Sequence, residues 1–190
     1  MKPSKEQAIA AVNTLLDYIG VDRSSQHIAN TAQRVIASYQ ELYAGYDTRL
    51  DQIISDKFYD LPNSHNIVLL KKIEFNSICA HHMLPIVGHA SIAYIPQNKI
   101  VGISKIAKVV NMFARRLQIQ EHMSAEIAHA LDSTLKPLGV AVKISAAHHC
   151  MVVRGVEQRH SLMDTYFFTG VFKDDKNYRA EFISSLQMTI

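Results

Sequence analysis

The sequence predicts an α+β fold: helices at the N-terminus, then a four-stranded antiparallel sheet with two long helices between strands 2 and 3, then a closing helix. Three observations carry this. Apolar residues recur at three- and four-residue spacing as far as Tyr43, β-branched runs dominate from Ile67 to Ile95 and again from Val140, and two helical stripes lie between those runs. No segment repeats or is low in complexity.

In the first element Ala8, Ala11, Val12, Leu15, Leu16 and Ile19 share one helical face, with Ser4 as N-cap and Gly20 as stop. A second helix is expected from Ser25 to about Tyr43, closed by Gly45. Phe58 to Ser64, with Pro62-Asn63-Ser64, is turn-rich and separates a helical region, 1–64, from the remainder, 65–190, as a linker within one functional unit. Ile67 to Ile78 and Gly88 to Ile95 read as two strands around a loop that holds His81, His82 and Pro85. Ile103, Ile106, Ala107, Val110, Phe113, Ala114 and Leu117 form one helical stripe, and Ile119, Met123, Ile127, Ala130, Leu131 and Leu135 a second that ends at Pro137-Leu138-Gly139. Val140 to Val153 and Thr165 to Phe172 are the remaining strands, and a final helix is expected from about Asp175 to Leu186.

Composition narrows the partners. Across 190 residues, 20 Lys and Arg stand against 17 Asp and Glu, a formal charge of +3, far from the basic excess of nucleic-acid binders. A bound anion should be small and locally held. No apolar run approaches the roughly 18 residues of a membrane span, and the N-terminus leads into an amphipathic pattern, so a cytoplasmic protein is expected. The two cysteines, Cys79 and Cys150, are then expected as thiols, buried or metal-bound.

Cys79-Ala80-His81-His82 offers a thiolate and an imidazole at a spacing of three, and His148-His149-Cys150 lies on the later strand. Alternation along that strand puts His148 and Cys150 on one side and His149 on the other, which supplies a third ligand and a proton carrier. A Cys, His, Cys set would leave zinc's fourth position open, the catalytic pattern. Taken alone, the same residues also read as two buried cysteines and partly exposed histidines in a sheet.

Cys79-Ala80-His81-His82-Met83-Leu84-Pro85, Ile95-Pro96, Gly102-Ile103-Ser104-Lys105, Arg116-Leu117-Gln118-Ile119-Gln120-Glu121 and His148-His149-Cys150-Met151, leading to Arg154-Gly155-Val156, closely resemble the GTP cyclohydrolase I family in order and spacing. The similarity runs from about Gln26 to Leu186. The resemblance implies a T-fold, assembly into decameric rings with active sites shared between subunits, and Zn2+ held by Cys79, His82 and Cys150. It implies GTP as substrate, opened at C8 with loss of formate and rearranged to 7,8-dihydroneopterin triphosphate. His81 matches a histidine that assists the zinc-bound water, His148 the acid–base histidine, and Ser104 a serine of the sugar rearrangement. Gln120 and Glu121 match the guanine-recognising pair, while Lys105, Lys108, Arg154 and Arg34 fall at triphosphate-binding positions.

The chain departs from the family's pattern at Ala80, where glutamate is usual, at His122 and Lys108, where arginine is common, and at Ala32, where proline is frequent. Retained chemistry at a reduced rate is the expectation. Two other readings are compatible with the motifs: a pterin or purine enzyme of the same fold with another substrate, and a catalytically silent zinc- or nucleotide-binding paralogue.

Overall fold

The computed structural model describes residues 2–55 and 66–187 and divides into two compact units, Met1–Ala44 and Gly45–Ile190. The expected linker at Phe58–Ser64 and the expected boundary after residue 64 lie outside the described residues.

The first unit holds α1 (Lys5–Tyr18) and α2 (Thr31–Leu42). Ser4 caps α1 as expected: its side chain accepts from the Gln7 N–H, and the Gln7 side chain returns the bond to the Ser4 N–H. No residue of α1 is fully buried: Ala8, Val12 and Leu16 of its apolar stripe are half-buried, and Leu15, Tyr18 and Ile19 are exposed. The second helix begins at Thr31 and not at Ser25, because Asp22 accepts from the Ser24 N–H and successive turn bonds carry the chain through Ile28 and Ala29.

The second unit opens with a single 3-10 turn, Ala44–Tyr46, which begins in the first, and the short α3 (Leu50–Ile53). It is built on a mixed sheet of β1 (Val68–Cys79), β2 (Pro85–Ile95), β3 (Leu117–Gln118), β4 (Gly139–His148) and β5 (Met163–Phe168), ordered β3-β1-β2-β4-β5. The α+β class is as expected; the count of four strands is not. The stripe through Ala114 and Leu117 suggested that the helix α4 (Ile103–Ala114) ran on. Instead Arg115 ends it, a tight turn joins the Arg116 N–H to the Ala114 carbonyl, and Leu117–Gln118 pair parallel to Ile78–Cys79. A two-residue strand has no periodicity to be read.

β1, β2, β4 and β5 are antiparallel neighbours, and α4 and α5 (Gln120–Leu135) cover one face. Ile86, Ala90, Ile92, Tyr94, Val140, Val142 and Ile144 on that face meet Ile106, Val110, Met123, Ile127 and Leu131 from the helices. Each fully buried branched side chain is worth about 1.5–3 kcal/mol, so the pair of helices is firmly held. Gly88 lets β2 approach β4, since a Cβ there would collide with the Ser145 carbonyl and with Ala146.

Two further strand ends differ from expectation. β4 stops at His148 and not at Val153: β5 pairs no further than Ala146 and β2 no further than His148, so the next residues, having no partner strand among the described residues, coil into α6 (His149–Val152). β5 stops at Phe168 and not at Phe172, because the Thr169 hydroxyl binds the Val140 N–H and Asp132, and Gly170 turns the chain at φ 49°. α7 (Gly170–Asp174) and α8 (Lys176–Gln187) then bury Phe172 and Phe182 against Ala93, Ile95 and Ala141 on the opposite face. No helix among the described residues is long and apolar enough to cross a membrane.

Candidate active site

The β1–β2 connection is fixed by its backbone. The Cys79 N–H donates to the Leu84 carbonyl at 2.8 Å, the Met83 N–H to the Cys79 carbonyl at 2.9 Å, and the Ala80 N–H to the Gln118 carbonyl on β3 at 3.0 Å. Met83 takes a left-handed φ of 54° to close the loop. The strand missed in the sequence thus anchors the residue between a cysteine and two histidines. Gln118 is itself held, its side-chain amide donating to the Phe113 carbonyl and to Glu126.

This loop and α6 converge. The ligand atoms of Cys79, His82 and Cys150 all lie within 4.8 Å of one another, with Cys79 buried, Cys150 half-buried and His82 exposed. Ligand atoms of a tetrahedral zinc, about 2.0–2.3 Å from the ion, stand roughly 3.3–3.8 Å apart, so small side-chain adjustments would suffice. Two thiols and an imidazole suit zinc, and the exposed side of the cluster leaves room for a fourth ligand. Cys150 joins through a helical turn, not through the strand alternation that the sequence suggested. Burial and the neighbouring Cys79 thiol push the Cys150 thiol up, against a smaller downward pull from a backbone hydrogen bond at Cys150 and from Arg154. A divalent cation would reverse that balance and favour both thiolates.

A second group sits at the start of α5. Gln120 is 1% exposed; its Oε1 lies 2.8 Å from His148 Nε2, and its Nε2 donates to the Met163 carbonyl at 2.8 Å and Thr165 Oγ1 at 3.2 Å. Glu121 follows, exposed, in the first turn, where the helix dipole favours its charge. Burial pushes the His148 imidazole below its ordinary pKa, while the Glu121 carboxylate raises it.

His81 is exposed beside His82, the two rings nearly perpendicular with centroids 6.4 Å apart. Ser104, Lys105 and Lys108 occupy the first two turns of α4, Lys105 half-buried and the other two exposed. Arg154 is exposed after α6, and none of Lys105, Lys108 and Arg154 forms an ion pair among the described residues. Arg34 is exposed on α2 of the first unit. Sequence reasoning overlooked Thr165 and Ser124, which support Gln120. Ser124, four residues after Gln120 on one helix face, was the available signal.

The family model described as GTP cyclohydrolase I matches residues 8–187. The chain belongs to the GTP cyclohydrolase I family. It is 51% identical over 183 residues to the GTP cyclohydrolase 1 of Rickettsia akari (strain Hartford), covering 96% of each chain. To the GTP cyclohydrolase 1 of Rickettsia prowazekii (strain Madrid E) it is 50% identical over 183 residues, again covering 96% of each. Among solved structures it is similar to an archaeosine synthase QueF-Like in the apo form, at TM-score 0.47 and 17% identity over 58% of this chain and 97% of that one, too distant to bear on the site.

Proposed function

We propose that this protein opens the guanine ring of GTP at C8, releases formate and forms 7,8-dihydroneopterin triphosphate, with zinc held by Cys79, His82 and Cys150. The observation that carries this reading is the cysteine–histidine–cysteine cluster in a chain about half identical, over nearly its full length, to proteins named GTP cyclohydrolase 1. Zinc held by these three residues would supply an acidified water for hydrolysis near neutral pH.

The chain's own residues do the rest. The Glu121 carboxylate accepts from guanine N1–H and from the 2-amino group, a pattern that adenine lacks. His148 gives a proton to the imidazole ring of the purine and makes C8 more electrophilic, a contribution of about 10²- to 10⁴-fold for a positioned acid–base group. His81 would assist the hydrolytic water, Lys105, Lys108 and Arg154 hold the triphosphate, and Ser104 serves the sugar rearrangement.

Formate release and, after oxidation, pterin fluorescence on incubation with GTP and zinc test the reading. ATP should give neither product. Turnover of another purine or pterin in place of GTP, or zinc binding without any turnover, would favour the two competing readings.

Ala80 sets the expected pace. Its backbone is pinned to Gln118 and its side chain is exposed, so a longer side chain fits there without repacking. A carboxylate at that position would orient His81, and lack of such an outer partner typically costs about 10- to 100-fold. Ala80→Glu is therefore expected to raise formate release at saturating GTP by roughly tenfold or more, within that range, with zinc content unchanged. An already fast parent enzyme that the substitution does not accelerate would remove the role assigned to this position.

Assembly into a ring with shared active sites belongs to the same proposal. The partly exposed apolar face of α1 and the outer edge of β5, which among the described residues pairs only with β4, are surfaces that another subunit would cover. Two thiol ligands and a nucleotide substrate favour a reducing compartment, the cytoplasm.

A further inference from the structure

The side-chain amide of Gln120 has two ends, and their surroundings differ. Around Nε2 lie the Met163 carbonyl at 2.8 Å, Thr165 Oγ1 at 3.2 Å and the Ile144 carbonyl at 3.3 Å. Carbonyl oxygens only accept, so the amino group must face them; a flipped amide would set oxygen against oxygen in a buried place. Oε1 must then face His148 Nε2, 2.8 Å away. An amide oxygen only accepts, so His148 Nε2 carries the hydrogen.

The surrounding hydroxyls agree with this direction. Ser124 Oγ donates its one hydrogen to the Gln120 carbonyl at 2.9 Å. In the 2.7 Å pair with Thr165, the Thr165 hydroxyl is therefore the donor, which leaves its oxygen to accept from Gln120 Nε2. The bonds run one way around a closed loop, from the Gln120 amide to Thr165, to Ser124 and back to the Gln120 backbone. Buried loops of this kind polarise and rigidify one another. With Gln120 1% exposed, almost nothing of its side chain remains for a ligand.

We propose that Gln120 is a positioning residue and not a contact for guanine: it holds Nε2–H of His148 throughout and so assigns proton exchange with the purine to Nδ1, which gives its proton from the doubly protonated ring and, in the neutral ring that remains, can only take one back. This rests on the acid–base role of His148 in the proposed reaction. Guanine recognition then falls to Glu121, the exposed neighbour. Ser124 and Thr165 act behind Gln120 and hold its amide in one orientation.

Two experiments on the zinc-loaded protein test this. Gln120→Leu keeps the size of the side chain and removes both ends of the amide. It should lower kcat for GTP by about 10- to 100-fold, the scale of losses from misplacing a reacting group by about 1 Å, with KM changed less than about twofold. In a His148→Ala background the same substitution should change kcat less than about twofold, because the group it positions is gone. A rise in KM at constant kcat, or an equal loss in both backgrounds, would overturn the proposal and return Gln120 to the guanine site. The second measurement needs no variant at Gln120. In protein labelled with 15N-histidine, the His148 signal, assigned by its loss in His148→Gln, should show a protonated Nε2 and an unprotonated Nδ1 in the neutral ring. The opposite tautomer would overturn the proposal even if Gln120→Leu failed to fold. Absence of GTP turnover in the unmutated protein would refute the reaction, while the tautomer would still decide the lock.

Discussion

Replacing Cys150 with serine is expected to reduce zinc from about one ion per subunit to a small fraction of that, and to abolish GTP turnover, because the cluster that would hold the ion has three members, Cys79, His82 and Cys150, and no fourth among the described residues. A serine hydroxyl does not ionise near neutral pH and is a poor zinc ligand beside a thiolate. The loss should exceed the 10- to 100-fold that follows removal of an outer hydrogen-bond partner, since here a direct ligand is removed. Cys150 is only half-buried and stands on a four-residue helical turn outside the sheet, so the fold should survive. Elemental analysis of the purified variant, with far-UV circular dichroism as the check on folding, gives the answer. Full zinc occupancy in a folded Cys150→Ser protein would remove this residue from the ligand set.

Glu121→Ala should be almost as damaging for a different reason. Two hydrogen bonds to a charged carboxylate are worth about 1.5–3 kcal/mol each, so losing both should lower kcat/KM for GTP by roughly 10²- to 10⁴-fold. Zinc should stay, because Glu121 lies on α5 and is not one of the three clustered ligands. The side chain is exposed, so its removal leaves no cavity in the core. Comparison of steady-state kinetics with GTP in the two proteins, with zinc measured in the same samples, separates recognition from metal binding. Kinetics equal to those of the parent would take Glu121 out of the site and leave the discrimination between guanine and adenine without a residue.

The sequence made some of this legible and concealed the rest for identifiable reasons. The stripes of α4 and α5 and the alternating or β-branched strands were visible because one buried face imposes a period. Cys79 and His82 could be paired because they are three residues apart in one loop. Cys150 was joined to them for the wrong geometric reason: strand alternation was assumed beyond His148, where the loss of neighbouring strands ends β4. β3 was hidden in the tail of a helical stripe, although its Gln118 carbonyl fixes Ala80 in the loop that carries Cys79 and His82. The surroundings of Gln120 were the least legible. Its partners Ile144, Met163 and Thr165 are 24, 43 and 45 residues away, and nothing local in the sequence signals that an amide will be used up by backbone carbonyls. Resemblance to a family assigns that residue a partner by position; burial and donor–acceptor accounting assign it another.

The fate of guanine C8 tests the reaction most directly. Zinc-loaded protein would be incubated with GTP carrying 13C at C8, and the label followed by 13C NMR. The proposed chemistry requires the label to leave as formate, one for each pterin formed, and none of it to remain in the pterin product. Labelled GTP that stays intact in a folded protein with full zinc occupancy would contradict the proposed reaction, and label retained in a ring-opened or ring-closed product would contradict hydrolysis at C8.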